Sequence, residues 1–262
     1  MILAADNLQV TNKRIETALN EMNPEPIREM AIRCEKAGAQ ALDINSGPLG
    51  RDAEKKMTLF VEAVQDVSDL PILIDTANPA AMEAGLRTNK KTAIVNGFSL
   101  QPQKLESILP LAKKYETDII GYLLYPNGHV PPDATERLSI AAEIYHEAEK
   151  AGIDKKHLII DPIVVPLTWQ RGRFQAMEIL TVIKTLPEVL DYPVRTIVGL
   201  SNLIIGRDYR EKRLLLERAY LPMLAACDLS IALLNIFHHE TVRIAKACIS
   251  FSDPKVFSWE AI

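Results

Sequence analysis

Short apolar stretches that each end in an aspartate or asparagine recur along this chain of 262 residues. Their apolar parts, rich in isoleucine, leucine and valine, are typical of strands that a parallel sheet buries on both faces. The carboxyl ends of parallel strands meet at one rim, where α/β proteins place their functional groups. The series therefore predicts one polar pocket on an apolar α/β framework. The stretches are Leu42–Asn45, Ile72–Asp75, Ala93–Asn96, Ile159–Asp161 and Ile197–Asn202.

Helix signals alternate with strand signals over the whole length. Met1–Ala5, Asp118–Leu124 and Leu229–Leu233 supply further strands, and helical spacing marks segments such as Gln103–Tyr115 and Ala134–Lys150. Eight strand–helix units without a linker predict a single α/β domain over residues 1–262, folded as an eight-stranded TIM-type (β/α)8 barrel. An open doubly wound sheet is the alternative, but no Gly-rich phosphate loop follows any predicted strand.

Composition excludes several classes of partner. The formal net charge is −4, which gives no basic bias towards nucleic acid, and no apolar run reaches the length of a membrane span. The three cysteines, Cys34, Cys227 and Cys248, fit neither a disulfide framework nor a Cys-x-x-Cys metal site. These cysteines predict that the protein works in the reducing cytoplasm. No metal site is predicted at His238-His239 either, because adjacent helical residues do not share a face.

Asp75, Asn96 and Asp161 end the third, fourth and sixth predicted strands. Together they suit a flat heterocycle that carries an amino group next to a ring N–H, because a carboxylate accepts both hydrogens in a fork. An amide can donate to a ring carbonyl and accept from an N–H at once. Helix N-capping is the alternative role, but Asn78 before Pro79 already supplies the cap after Asp75.

The turn Gly199-Leu200-Ser201-Asn202 follows the seventh predicted strand. Gly199 lets a ligand approach the backbone closely, and Ser201 and Asn202 place small polar groups over the barrel mouth. An ordinary turn rich in Gly, Ser and Asn is the alternative.

Asp43 and Asn45 are interpreted as turn and capping residues, because Ser46-Gly47-Pro48 follows them. The predicted rim lacks strong nucleophiles and bases and has no Ser-His-Asp grouping. The lack of such groups favours a reaction in which the protein positions two reagents that carry their own reactivity.

Taken together, these segments resemble the pterin-binding methyltransferases, specifically the methyltetrahydrofolate:corrinoid-protein methyltransferase family. Their order and spacing match the family across nearly the whole chain. The first strand departs from the family's frequent Gly-Glu-Arg-Ile-Asn and reads Ala4-Ala5-Asp6-Asn7. The matching segments are Ala41–Pro48, Leu73–Thr76, Ile94–Asn96, Ile160–Pro162 and Val198–Asn202.

The resemblance implies a homodimeric barrel that binds the pterin ring of tetrahydrofolate or methyltetrahydrofolate. It implies methyl transfer between N5 of the folate and the cobalt of a corrinoid (cobalamin) carried by a separate corrinoid-binding protein. Asn202 is the catalytic candidate, as a hydrogen-bond partner of N5. The direction from methyl-corrinoid to tetrahydrofolate is favoured, because the first strand diverges from the carbon-fixing enzymes. The implied substrate-binding residues are Asp75, Asn96, Asp161, Gly199, Ser201 and Asn202.

Other functions stay open at this point. Transfer from methyltetrahydrofolate to a corrinoid iron-sulfur protein in carbon fixation uses the same transition state. A dihydropteroate synthase shares the pterin pocket but needs a phosphate-binding Ser-Arg-Lys loop, where this chain has Ser201-Asn202-Leu203-Ile204. An aldolase-like lyase needs a Schiff-base lysine, and no predicted strand ends in lysine. A catalytically silent folate-binding protein is the remaining alternative.

Overall fold

The eight predicted strands form a closed parallel barrel. The computed structural model describes residues 1–47, 50–206, 208–252 and 259, so Pro48 of the matching segments lies outside the described residues. Each strand pairs with the next in sequence, and the eighth pairs with the first, which confirms the TIM-type (β/α)8 barrel. The strands are β1 (Ile2–Gln9), β2 (Ala41–Asn45), β3 (Ile72–Asp75), β4 (Ala93–Phe98), β5 (Asp118–Tyr122), β6 (Leu158–Asp161), β7 (Arg195–Gly199) and β8 (Ile231–Leu234).

Helices connect the strands around the outside of the barrel. The cap predicted at Asn78 is confirmed, because its side chain accepts the N–H groups of Ala80 and Ala81. The helices are α1 (Lys13–Asn20), α2 (Glu25–Lys36), α3 (Ala53–Gln65), α4 (Pro79–Thr88), α5 (Pro102–Ser107), α6 (Leu109–Lys114), α7 (Ala134–Lys150), α8 (Gly172–Val189), α9 (Arg210–Ala225) and α10 (His239–Ser252), with one-turn 3-10 helices at Lys155–His157 and Leu200–Ile204.

The single helix predicted over Gln103–Tyr115 is wrong. The segment forms α5 and α6, which meet at Ile108. Pro110 explains the break, because a proline lacks the N–H that would continue the first helix but fits the first turn of a new one.

The barrel interior is filled by one apolar residue from each strand. The side chains of a strand alternate between its two faces, so the residues on either side of each of these point outward, towards the helices. This buried layer is a packed plug rather than a channel, so a ligand can enter only from a rim. Its members are Ala4, Ala41, Leu73, Ile94, Ile120, Ile159, Ile197 and Ile231.

Among the described residues, none of the helices is long and apolar enough to cross a membrane.

Candidate active site

A second, polar layer lies two residues beyond the apolar plug, towards the carboxyl ends of the strands. Side chains two apart in a strand point to the same side, so this layer also faces the barrel interior. Tyr122 and Leu233 of the layer pack against the plug beneath them. Six of its eight positions carry a polar side chain, so the structure brings Asp75, Asn96 and Asp161 to one rim. The layer consists of Asp6, Asp43, Asp75, Asn96, Tyr122, Asp161, Gly199 and Leu233.

Asn96 is the buried centre of this layer. Its Nδ2 donates to Asp43 Oδ1 at 3.1 Å, and its Oδ1 accepts the hydroxyl of Tyr122 at 2.6 Å. These two partners fix the orientation of the amide and still leave it one hydrogen and one lone pair. Burial, together with the negative charge of Asp75, raises the pKa of Asp43 well above its ordinary value.

Asp75 ends β3 beside Asn45, whose Nδ2 donates to Asp75 Oδ2 at 2.5 Å. That bond uses one of the roughly four lone-pair sites of a carboxylate, so the remaining ones are available to a ligand. Burial raises the pKa of Asp75 to about 6, against the opposing effect of the positive charge of Lys104.

Asp161 ends β6 and is fixed by the turn that follows it. Its Oδ1 accepts the backbone N–H of Ile163 at 2.7 Å. Burial raises the pKa of Asp161 to about 7, while the Ile163 bond and the charge of Arg137 act in the opposite direction. Burial raises the pKa of Tyr122, and the negative charges of Asp75 and Asp161 raise it further.

Gly199 ends β7, and Ser201 and Asn202 lie in the 3-10 helix that follows it. The hydroxyl of Ser201 donates to Asp6 Oδ2 at 2.5 Å, which ties this loop to β1. A Cβ on Gly199 would lie 2.8 Å from Nδ2 of Asn202, closer than real Cβ contacts allow. Glycine at this position therefore makes room for the Asn202 side chain.

The interpretation of Asp43 as a turn or capping residue is wrong. Asp43 lies in the middle of β2, is only 3% exposed and contacts Asn96 inside the barrel. Asn45 does form a turn, since its Oδ1 accepts the N–H of Gly47 at 3.0 Å, but its amide also holds Asp75. Asp43 was assigned to a turn because Ser46-Gly47-Pro48 follows it closely. The spacing of Ala41, Asp43 and Asn45, two residues apart, was the available signal.

His238, directly before α10, contacts a buried glutamate. His238 Nδ1 lies 3.1 Å from Oε1 of the fully buried Glu217, which also accepts the hydroxyl of Thr241 at 2.7 Å. Within the described ranges, no group of three or more His, Cys, Asp and Glu side chains is arranged to hold a metal ion.

Comparison with solved structures shows the same barrel in dihydropteroate synthases. The enzyme from Stenotrophomonas maltophilia aligns with a TM-score of 0.71 at 18% identity and covers 97% of this chain and 94% of its own. The enzyme from Xanthomonas albilineans, solved with 4-aminobenzoic acid, aligns with a TM-score of 0.70 at 18% identity over 97% and 93% of the two chains. At this identity the likeness establishes the fold alone.

Comparison of sequences gives two curated relatives. A methylcorrinoid:tetrahydrofolate methyltransferase of Eubacterium limosum is 24% identical over 213 residues, which are 80% of this chain and 77% of the relative. A methionine synthase of Mycobacterium tuberculosis is 22% identical over 178 residues, which are 64% of this chain but only 15% of that much longer protein. The family described as pterin binding enzyme matches residues 8–232. Because this match extends over most of the chain, the protein belongs to the pterin binding enzyme family.

Proposed function

We propose that this protein is a methyltransferase that moves a methyl group from the corrinoid of a partner protein to N5 of tetrahydrofolate. The observation that carries the proposal is the convergence of Asp75, Asn96 and Asp161 on one rim beside the Ser201-Asn202 loop. The similarity to a methylcorrinoid:tetrahydrofolate methyltransferase supports the same reaction and its direction.

Asp75, Asn96 and Asp161 bind the pterin in this proposal. The free lone pairs of the two carboxylates accept the amino and ring N–H groups, which a flat aminopyrimidinone presents side by side. The remaining hydrogen and lone pair of Asn96 meet a ring carbonyl and a ring N–H. Asp43 and Tyr122 hold the Asn96 amide in one orientation, so this recognition is preorganised.

Asn202 acts on N5 in this proposal. A bound corrinoid supplies the cobalt that exchanges the methyl group, so the protein needs no nucleophile of its own. Transfer to tetrahydrofolate would form the N5–carbon bond, break the cobalt–carbon bond with its electron pair left on the partner's corrinoid, and release the N5 proton. Asn202 accepts this N–H through its amide oxygen as the bond forms, and because an amide cannot take the proton, water removes it. Gly199 leaves room for this side chain, and Ser201 anchors the loop to Asp6.

Calorimetric titration with tetrahydrofolate, methyltetrahydrofolate and a non-pterin control tests the pterin site. Micromolar binding of the folates alone supports the proposal, and absence of folate binding contradicts it. A cobalt-spectrum assay with a corrinoid protein then reports transfer in each direction. Formation of dihydropteroate from a pterin diphosphate and 4-aminobenzoate, without methyl transfer, would favour the synthase alternative.

Folate affinity should fall as the pH is lowered from about 8 to about 5.5. The pKa values of Asp75, about 6, and Asp161, about 7, lie within this interval, and protonation removes the acceptors that the pterin needs. Calorimetric titration across the interval measures the loss. An affinity that is flat over this range would contradict the role of both carboxylates.

The same two carboxyl groups affect the free energy of unfolding in the opposite sense. Their contribution to the stability of the ligand-free protein falls as the pH rises. Both pKa values are raised above their ordinary value of 3.8, so each carboxyl stabilises the fold when protonated and loses that contribution as the pH rises through about 6 and about 7. Asp161→Asn should therefore raise the Tm of the ligand-free protein more at about pH 8 than at about pH 5.5.

We also propose that the protein is a homodimer that works in the cytoplasm. Exposed apolar side chains on α8 and α9, namely Met177, Leu215 and Leu216, offer a surface to a second copy. The two helices are neighbours, since the Tyr220 hydroxyl on α9 donates to the carbonyl of Ala176 on α8 at 2.6 Å. The three free cysteines are consistent with a reducing compartment.

Leu215→Glu should convert the protein from dimer to monomer. Leu215 is 65% exposed, and a carboxylate there would be desolvated at an apolar interface at a cost that far exceeds the loss of one leucine contact. Light scattering coupled to size exclusion measures the mass. Lys246→Glu on α10 introduces the same residue at another exposed position and should leave the mass unchanged. An unchanged mass for Leu215→Glu, or a monomeric wild type, would contradict the proposed surface.

A further inference from the structure

Arg137 on α7 is a cation that is completely buried, with 0% exposure. Among the described residues no carboxylate lies within ion-pair distance of it. Its guanidinium donates instead to three backbone carbonyls, those of Pro131 at 3.0 Å, Pro162 at 2.7 Å and Ile163 at 3.3 Å, and to Gln175 Oε1 at 2.8 Å. Burying a charge without a counterion is costly, so its position requires an explanation.

Two of these carbonyls belong to the turn that directly follows Asp161. Ile163 in this turn has a φ of +63°, a left-handed conformation that a β-branched residue adopts only when its surroundings impose it. The N–H of the same residue donates to Asp161 Oδ1 at 2.7 Å. By holding Pro162 and Ile163, the guanidinium therefore holds the donor that aims the Asp161 carboxylate.

Charge links the same two residues. Burial lowers the pKa of Arg137 to about 10, which leaves it protonated at neutral pH. Its positive charge lowers the pKa of Asp161 and so opposes the effect of burial. Tyr122 also faces Asp161, while Asp133, Glu178 and Tyr220 face Arg137. Of these groups, Arg137 is the one whose removal takes a positive charge away from Asp161.

We propose that Arg137 is a positioning residue for Asp161: its guanidinium fixes the turn whose N–H orients the carboxylate, and it places a positive charge near that carboxylate. Pterin binding by Asp161 rests on the proposed function, but the effect of Arg137 on Asp161 does not. In this proposal the buried charge acts on the ligand-binding rim through the turn after β6 and through Asp161.

The pKa of Asp161 in the ligand-free protein provides the first test. Carboxyl carbon NMR of protein labelled at aspartate measures it, with Asp161→Asn to assign the signal. Arg137→Met should raise this pKa above about 7, because the carboxylate loses a nearby positive charge and the turn that donates to it is no longer held. Tyr220→Phe is the matched control, since it removes a buried hydrogen bond beside Arg137 that does not reach the turn. An unchanged Asp161 pKa in Arg137→Met, or an equal shift in Tyr220→Phe, would overturn the proposal.

Arg137→Lys keeps the charge and serves if Arg137→Met does not fold. A single ammonium group cannot replace the guanidinium fork, so hydrogen exchange of the Ile163 amide should become about tenfold faster or more, while the Asp161 pKa stays close to that of the wild type. Exchange at the wild-type rate would refute the positioning of the turn.

Tetrahydrofolate titration separates this inference from the proposed function. If folate binds, Arg137→Met should shift the pH dependence of its affinity to higher pH by the same interval as the Asp161 pKa. If neither the wild type nor Arg137→Met binds folate, the proposed function fails. The NMR and hydrogen-exchange measurements still decide the role of Arg137.

Discussion

Asp75→Ala is expected to weaken tetrahydrofolate binding by roughly ten- to several-hundred-fold, because it removes charge-assisted hydrogen bonds that each contribute about 1.5–3 kcal/mol. The effect should be large because the carboxylate lies at the partly buried end of β3, where burial raises its pKa and little water is present to replace it as an acceptor. Calorimetric titration at about pH 8, where Asp75 is ionised, measures the Kd.

Asp75→Asn separates the loss of charge from the loss of shape. The amide fills the same space, so the fold should be retained, but it presents one carbonyl oxygen where the carboxylate presents two. We expect folate affinity nearly as low as for Asp75→Ala, with a Tm equal to or above that of the wild type, because a buried negative charge near Asp43 is gone.

Asp69→Ala is the matched control for this position. Asp69 precedes the same strand at its opposite end, and its side chain is 96% exposed beside Lys91. Its removal should leave the Kd unchanged. Wild-type folate affinity in Asp75→Ala would remove Asp75 from the pterin site, and an equal loss in Asp69→Ala would attribute the effect to general damage.

Periodic apolar patterns predicted the barrel because each buried parallel strand carries its own local signal. All eight predicted strands are present, since continuous apolar runs bounded by turn residues leave few other arrangements. Element ends were less predictable. The strand predicted over Met1–Ala5 extends to Gln9, because pairing with a neighbouring strand leaves no apolar pattern in the sequence.

The residues of the candidate site divide in a similar way. Asp75 and Asp161 could be predicted at the rim because each ends an apolar run. The spacing of Asp43 from Ala41 and Asn45 indicated that all three share one face of the strand, but the contact of Asp43 with Asn96 forms only when the barrel closes. Arg137 was out of reach, because its partners Pro162 and Gln175 lie 25 and 38 residues further along the chain.

Asn202→Ala is expected to lower the rate of methyl transfer by roughly 100-fold, the usual effect of removing one hydrogen bond that strengthens in the transition state. Folate affinity should change much less, because Asp75, Asn96 and Asp161 provide the ground-state contacts. Single-turnover cobalt spectroscopy with a corrinoid protein measures the rate, and calorimetry measures the Kd. Asn127→Ala is the control, since this residue lies in the loop after β5 on the same face of the barrel.

Both directions of transfer provide an internal check on Asn202. They share one transition state, and no substitution in the enzyme changes the equilibrium between the methylated forms. Removal of a transition-state contact must therefore lower the rate of transfer to tetrahydrofolate and the reverse rate by similar factors when affinities are unchanged. Equal losses in rate and in folate affinity would instead make Asn202 a positioning contact. An unchanged rate would move the interaction with N5 to another residue, of which Ser201, bonded to Asp6 in the same loop, is the nearest in sequence.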